Sequence, residues 1–139
     1  MSQLSPKRQR TLQLHNRALA FSVKVNACCP QHFTTMPSQV VWGQLVRASD
    51  STSNNLIEAD DASSDADFLN KMGIALREVK ESRAALMKIR LGSLDHADAI
   101  SCAALENEAT QLAAIFATII RNMRARLETE RRDGGRRKW

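Results

Sequence analysis

Arginine and lysine side chains crowd both ends of this sequence, and phosphate binding is the chemistry that they could perform. Their cationic groups neutralise phosphates, so such clusters favour a nucleic-acid partner bound without sequence specificity. Only 4% of the residues are aromatic and tyrosine is absent, which leaves few platforms for stacking bases. The candidate nucleic-acid-binding residues are Lys7, Arg8, Arg10, Arg121, Arg124, Arg126, Arg131, Arg132, Arg136, Arg137 and Lys138.

A second candidate group is polar and structural. Asn55 and Glu58 lie three residues apart, which places them on one face of a helix. Together with Arg47 they could form a buried polar network, within one subunit or with a neighbouring subunit. We favour a structural role over a ligand site because a buried carboxylate is tolerated when it is paired.

The sequence does not predict a metal site. A di-metal helical bundle needs Glu-x-x-His on two helices, and this motif does not occur. His15, His32 and His96 are isolated from one another. Cys28 and Cys29 could share one ion with His32 only through an accident of loop geometry, so we expect no metal.

Catalytic motifs are missing as well. Ser93, Asp95 and His96 have the residue types of a hydrolytic triad, but neighbouring positions at a helix start point these side chains apart. Helix capping explains them fully. There is also no glycine-rich phosphate loop, so we expect neither an enzyme nor a bound cofactor.

Composition bounds the class of protein. The chain has 139 residues, enough for one domain with a single core. Its three cysteines form no disulfide framework, which is typical of a reducing compartment. No apolar run approaches the roughly 20 residues of a membrane span, and no signal-peptide core follows the basic start. We expect a cytoplasmic protein with no membrane contact.

Apolar residues repeat at steps of three and four along two long stretches, which predicts helices over about 65–91 and 95–131. Weaker stripes predict two more helices over about 6–29 and 37–60. Short connections favour antiparallel neighbours. The predicted fold is therefore all-α, an antiparallel up-down-up-down four-helix bundle.

Turn-forming residues set the predicted boundaries. Gly92 and Ser93 should supply a left-handed stop and a fresh cap, with Asp95 and Asp98 in the first turn of the last helix. The run 133–135, Asp-Gly-Gly, should end that helix, which divides the chain into a bundle over 1–132 and a basic tail over 133–139. Within the second helix, we expect Trp42 on a shoulder of the core.

Charge is distributed unevenly along the chain. Residues 1–25 hold five basic residues and no acidic one, residues 121–139 hold eight basic against three acidic, and the remaining 95 hold seven basic against twelve acidic. The predicted topology brings the start of the first helix, the turn between the second and third, and the end of the fourth to one end. That turn forms an acidic corner of Glu58, Asp60, Asp61, Asp65 and Asp67.

The first, third and fourth helices have more apolar surface than one bundle can hide, and the first helix shows it as two stripes. One stripe contains Leu19 and Val23, and a second contains Ala18, Phe21 and Val25. The excess predicts a homo-oligomer with helix-packed interfaces.

The stretch from Gln44 to Glu58 and the stretch from Asp67 to Glu78 resemble the bacterial four-helix-bundle family found in intervening sequences of 23S ribosomal RNA genes. The resemblance spans roughly Arg17 to Arg124, and Ala59 stands where that family usually has glycine. The matching positions are Gln44, Leu45, Arg47, Ala48, Ser51, Asn55, Glu58, Phe68, Leu69 and Ala75.

The resemblance implies a small non-enzymatic bundle that assembles into rings, with pentamers among its members. A similar branch, the accessory variability determinants of diversity-generating retroelements, binds nucleic acid and a reverse transcriptase. We therefore expect a homo-oligomer, pentameric by resemblance, that acts as an accessory or adaptor on DNA or RNA. The alternative is a protein-binding scaffold without nucleic-acid binding, its basic ends pairing with the acidic corner.

Overall fold

The computed structural model describes residues 3–95 and 98–137 and consists of four α-helices. They are α1 (Pro6–Cys28), α2 (Met36–Asp60), α3 (Asp65–Leu91) and α4 (Ala99–Arg137). Each helix packs beside its neighbours in the chain, and α1 closes the arrangement against α4. This confirms the predicted all-α, up-down-up-down bundle. The boundary between α1 and α4 is the most open of the four.

The first three helices begin with the same capping device. A side-chain hydroxyl of Ser5, Thr35 or Ser64 accepts a hydrogen bond from the backbone N–H three residues further on. Proline follows closely in α1 and α2, where its missing N–H has no intrahelical partner to lose. The starts of these helices are thus local features of the sequence.

The turn after α3 differs from the prediction. Gly92 keeps right-handed backbone angles, with φ of −88°, and Ser93 is the residue with positive φ, at 49°. Glycine is needed at position 92 for another reason: a Cβ there would lie 2.9 Å from the backbone oxygen of Lys88. The close approach, rather than a left-handed conformation, selects glycine.

The start of α4 also differs. The helix begins at Ala99, so Asp95 does not lie in its first turn. The Asp95 carboxylate instead accepts hydrogen bonds from the backbone N–H and the hydroxyl of Thr34, at 2.9 and 3.0 Å. Asp98 also precedes the first turn, and its side chain caps the helix by accepting a hydrogen bond from the N–H of Ile100. Asp95 therefore fastens the α1–α2 link to the α3–α4 link.

The end of α4 lies later than predicted. The helix continues through Gly134 and Gly135 to Arg137. Glycine costs about 1 kcal/mol in a helix interior, which weakens a helix without forcing it to stop. Ion pairs from Glu128 to Arg131 and Arg132 support the turns just before. The predicted end of this helix at about residue 131 is therefore too early.

Trp42 is fully buried rather than on a shoulder. Its indole Nε1–H donates to the backbone oxygen of Asp95, which links α2 to the connection before α4. A buried indole needs such a partner, and the partner lies 53 residues away in the chain. Large, fully buried side chains from the other three helices include Phe21, Leu86 and Phe116.

The two apolar stripes of α1 have different environments. Ala18, Phe21 and Val25 are buried in the core. Leu19 and Val23 of the other stripe remain 41% and 65% exposed. One bundle therefore buries only one of the two stripes. No helix among residues 3–95 and 98–137 has the length and apolar character that crossing a bilayer demands.

Candidate nucleic-acid interface and adjoining cavity

The start of α1, the acidic corner and the last third of α4 lie at one end of the bundle, which we call the charged end. Arg8 Nη1 lies 2.6 Å from Asp60 Oδ2, and Arg126 Nη2 lies 3.5 Å from Asp65 Oδ1. The predicted proximity of basic and acidic segments is thus confirmed within a single chain. Arg8 and Arg126, two of the candidate nucleic-acid-binding residues, are therefore already paired with carboxylates of the same chain.

α4 extends past the rest of the charged end. It has 39 residues against 27 in α3, and Arg126 lies level with Asp65 at the start of α3. Residues 127–137, the projecting segment, therefore run about 16 Å beyond the bundle at 1.5 Å per residue. The last buried residue of the helix is Ile120, so the surface beyond it is largely exposed.

Two arginines of the projecting segment face a carboxylate on their own helix. Glu128 accepts hydrogen bonds from Arg131 at 2.7 Å and lies 3.5 Å from Arg132. The hydrogen bond from Arg131 lowers the pKa of the Glu128 carboxyl. Exposed pairs of this kind are worth little in water, so both arginines can exchange the carboxylate for a phosphate.

Four further candidate nucleic-acid-binding residues are exposed at the charged end. Lys7, Arg10 and Arg124 form no ion pair with any described residue, and Arg121 donates to the hydroxyl of Thr118 at 3.2 Å. The candidate Lys138 lies outside the described residues, as do the side chains of Arg136 and Arg137. Lys7, Arg10, Arg121 and Arg124 are therefore the cations that the described structure leaves available.

The predicted polar network does not assemble around Arg47. This guanidinium reaches across to α3, where it lies 3.2 Å from Glu78 Oε2 and 3.0 Å from Glu81 Oε2. The hydrogen bond to Glu81 and the charge of Glu78 raise the pKa of Arg47. Its contacts serve the packing of α2 against α3.

Asn55 and Glu58 also have other partners. The Asn55 amide donates to the backbone oxygen and the hydroxyl of Ser51, one turn earlier. Glu58 pairs with Lys71 of α3 at 3.1 Å and is exposed. Sequence spacing placed Asn55 and Glu58 on one helix face, but Asn55 bonds within α2 and only Glu58 contacts a side chain of α3.

A cavity that the sequence did not reveal opens at the charged end. Its volume is about 680 Å³, and it lies between α1, α4 and the α2–α3 turn. Its lining combines charged and hydroxyl side chains, which we call the rim, with apolar ones. Six large apolar side chains of the lining, which we call the floor, are Leu14, Leu56, Phe68, Met72, Ile119 and Met123.

His15 lines this cavity from α1 and is only 8% exposed. No hydrogen bond joins its ring to any other described residue. The sequence carried a signal for its burial, since His15, Ala18, Ser22 and Val25 share one helix face. We predicted only that His15 is isolated from the other histidines. The cavity is built by side chains of several helices, so the sequence of one helix does not reveal it.

Residues of the rejected catalytic and metal constellations lie around one pocket, whose lining includes Cys28, Cys29, His32, Ser93 and Asp95. Within residues 3–95 and 98–137, no three His, Cys, Asp or Glu side chains are placed to hold a metal ion. Burial raises the pKa of the thiols of Cys28, Cys29 and Cys102, which disfavours their reactive thiolates. His96 lies outside the described residues.

Comparisons with known proteins identify the chain. A solved structure of a protein with unknown function from the S23 ribosomal protein family of Bacteroides thetaiotaomicron superposes with a TM-score of 0.63 at 25% identity, covering 77% of this chain and 97% of that one. Curated proteins give no match. A family model described as 23S rRNA-intervening sequence protein matches residues 10–118. Neither match indicates a catalytic family. With more than half of its length matched, the chain belongs to the 23S rRNA-intervening sequence protein family.

Proposed function

We propose that this protein is a non-catalytic, cytoplasmic homo-oligomer that binds DNA or RNA phosphates through its charged end, as an accessory or adaptor protein. The observation that carries the proposal is the projection of α4 beyond the bundle with arginines exposed along it. A helix that projects beyond the bundle can lie along a polyphosphate backbone. The flat end of a bundle would touch that backbone only at the edge of the bundle.

Oligomerisation strengthens the electrostatic argument. Each chain contributes a few cations, several of them already beside carboxylates, so one copy should bind weakly. A symmetric assembly repeats the same cations and concentrates positive charge on one face. The exposed Leu19 and Val23 of α1 support such an assembly, and a pentamer is the state that the family resemblance implies.

Lack of sequence specificity follows from the same surface. Arginines on a projecting helix contact phosphates, and the described charged end offers few aromatic side chains for stacking bases. We therefore propose binding governed by backbone charge. A reverse transcriptase is a further partner if the protein serves a retroelement, as in the similar branch of accessory proteins.

The test is a titration of the full chain with duplex DNA and single-stranded RNA across a range of salt concentrations. Deleting residues 131–139, or replacing Arg121 and Arg124 with serine, should weaken binding and reduce the dependence on salt. The matched control replaces Arg77 and Arg83 of α3, two exposed arginines away from the charged end, with serine. Equal losses in both double variants, or no affinity at low salt, would refute the proposal.

The alternative function is a protein-binding scaffold held together by its opposite charges. The acidic corner favours it, because carboxylates repel phosphates. Asp60 and Asp65, however, already contact Arg8 and Arg126 of the same chain. If the corner joins subunits, replacing Asp60, Asp61, Asp65 and Asp67 with asparagine should dissociate the oligomer. If it only moderates nucleic-acid binding, the oligomer should persist and its affinity for nucleic acid should rise.

A further inference from the structure

We infer that the cavity at the charged end is a binding site for a small amphipathic molecule with an anionic head group and an apolar body, such as a medium-chain carboxylate. The cavity, its unpartnered histidine and the balance of charge on its rim support this assignment independently.

The cavity has the size and composition of a small-molecule site. Its volume of about 680 Å³ falls within the roughly 300–1,000 Å³ usual for ligand pockets. The six apolar side chains of the floor come from all four helices, so the surface exists only in the folded bundle. An apolar chain on this floor would cover Phe68 and Met123, which the protein leaves half-buried.

His15 supplies a polar contact that the protein itself leaves unused. More than nine-tenths of the residue is buried, yet its ring makes no hydrogen bond with another described residue. Every fully buried polar side-chain atom in the described structure has a partner, so the ring nitrogens of His15 retain access to the cavity. Water can therefore reach these nitrogens, and a ligand head group can replace that water as their hydrogen-bond partner.

The charges around the rim select an anion. Asp60 and Asp65 line the cavity, but each faces an arginine, Arg8 and Arg126 respectively. Lys7 also lines the cavity, and no described carboxylate pairs with its ammonium group. Arg126 also lies 3.5 Å from Glu130 of α4, so the anionic preference rests on Lys7, the lining cation that no described carboxylate pairs with, and this ammonium group favours a carboxylate head over an ammonium head.

The experiment compares three probes that share one tail and differ in head-group charge: octanoate, 1-octanol and octyltrimethylammonium. Calorimetric titration of the full chain should show one octanoate per chain, bound about tenfold more tightly than octanol, with the ammonium probe weakest. The Cε1–H proton resonance of His15 should shift on octanoate binding, while that of exposed His32 should stay in place.

Variants separate the head-group contacts from the apolar floor. Lys7→Ser should reduce octanoate affinity to about that of octanol, whereas Lys24→Ser on the same helix, outside this cavity, should leave it unchanged. His15→Leu should weaken octanoate binding several-fold. Ala62→Trp, which narrows the cavity, should abolish binding of all three probes while far-UV circular dichroism stays helical.

Several outcomes would overturn the inference. Absence of octanoate binding would show that the cavity is closed or covered by another copy in solution. Equal affinity for the three probes would contradict the anionic preference. Binding that survives both Lys7→Ser and Ala62→Trp would place the carboxylate elsewhere on the protein.

Discussion

Arg17 Nη2 on α1 lies 2.5 Å from Glu108 Oε1 on α4, and this ion pair bridges the most open of the four helix boundaries. The Glu108 hydrogen bond raises the pKa of Arg17. A further hydrogen bond joins Arg17 to Gln111, also on α4, at 3.2 Å. Polar contacts thus help to hold α1 against α4.

Loss of this pair should loosen α1 selectively. We expect Glu108→Gln to lower the free energy of unfolding by about 1 kcal/mol and to speed amide hydrogen exchange in α1 more than in α3. The control is Glu106→Gln, which removes the partner of Arg90 across the α3–α4 boundary. Uniform acceleration across all helices would contradict a local role.

Removing a carboxylate from the acidic corner should release a cation at the charged end. Asp60→Asn leaves Arg8 without its partner, so we expect tighter binding of duplex DNA and a salt slope steeper by about one phosphate contact. Glu81→Gln makes the same change in net charge, but beside Arg47 and away from that end. Fluorescence anisotropy measures both variants, and an equal gain would point to net charge alone.

The stability of the core should depend on the indole nitrogen of Trp42. Trp42→Phe removes a donor from the backbone oxygen of Asp95 and leaves a void beside it, so we expect a loss of about 1–3 kcal/mol in urea unfolding. Val40→Ala, at an exposed position of the same helix, should change stability by less than about 0.5 kcal/mol. Equal losses of stability in Trp42→Phe and Val40→Ala would show that the buried hydrogen bond contributes nothing.

The exposed stripe of α1 should form the interface between copies. We expect the double variant Leu19→Lys with Val23→Lys to shift the mass in solution towards the monomer at micromolar concentration, with helicity retained, because charge at an apolar interface opposes association. The control is Leu91→Lys, another exposed apolar position, at the end of α3. A monomeric wild type would refute the assembly itself.

Stability should decline at alkaline pH because of Cys102. Burial raises the pKa of this thiol above its ordinary value of 9.0. The folded state therefore keeps the proton where the unfolded state loses it, and this contribution to stability is complete below pH 9.0 and is lost as the pH rises through the folded value. Unfolding of wild type and Cys102→Ala between about pH 8 and about pH 10.5 should show a smaller alkaline decline in the variant. An equal loss of stability at alkaline pH in the wild type and in Cys102→Ala would show that Cys102 is not its cause.

The sequence predicted the helices because their causes are local. Caps at Ser5, Thr35 and Ser64, prolines after two of them, and apolar steps of three and four all act within a turn or two of the chain. Antiparallel order then followed from short connections. The meeting of Arg8 with Asp60 was predictable for the same reason, since topology alone brings their segments to one end.

The tertiary structure decided what depends on groups distant in the chain. Trp42 is central because its indole finds the Asp95 carbonyl, and Arg47 turns to α3 because Glu78 and Glu81 lie there. The cavity around His15 needs side chains from four helices, so no periodicity in one helix could reveal it. Local sequence set the helices of this protein, while three-dimensional packing set the partners of its polar groups and the space they enclose.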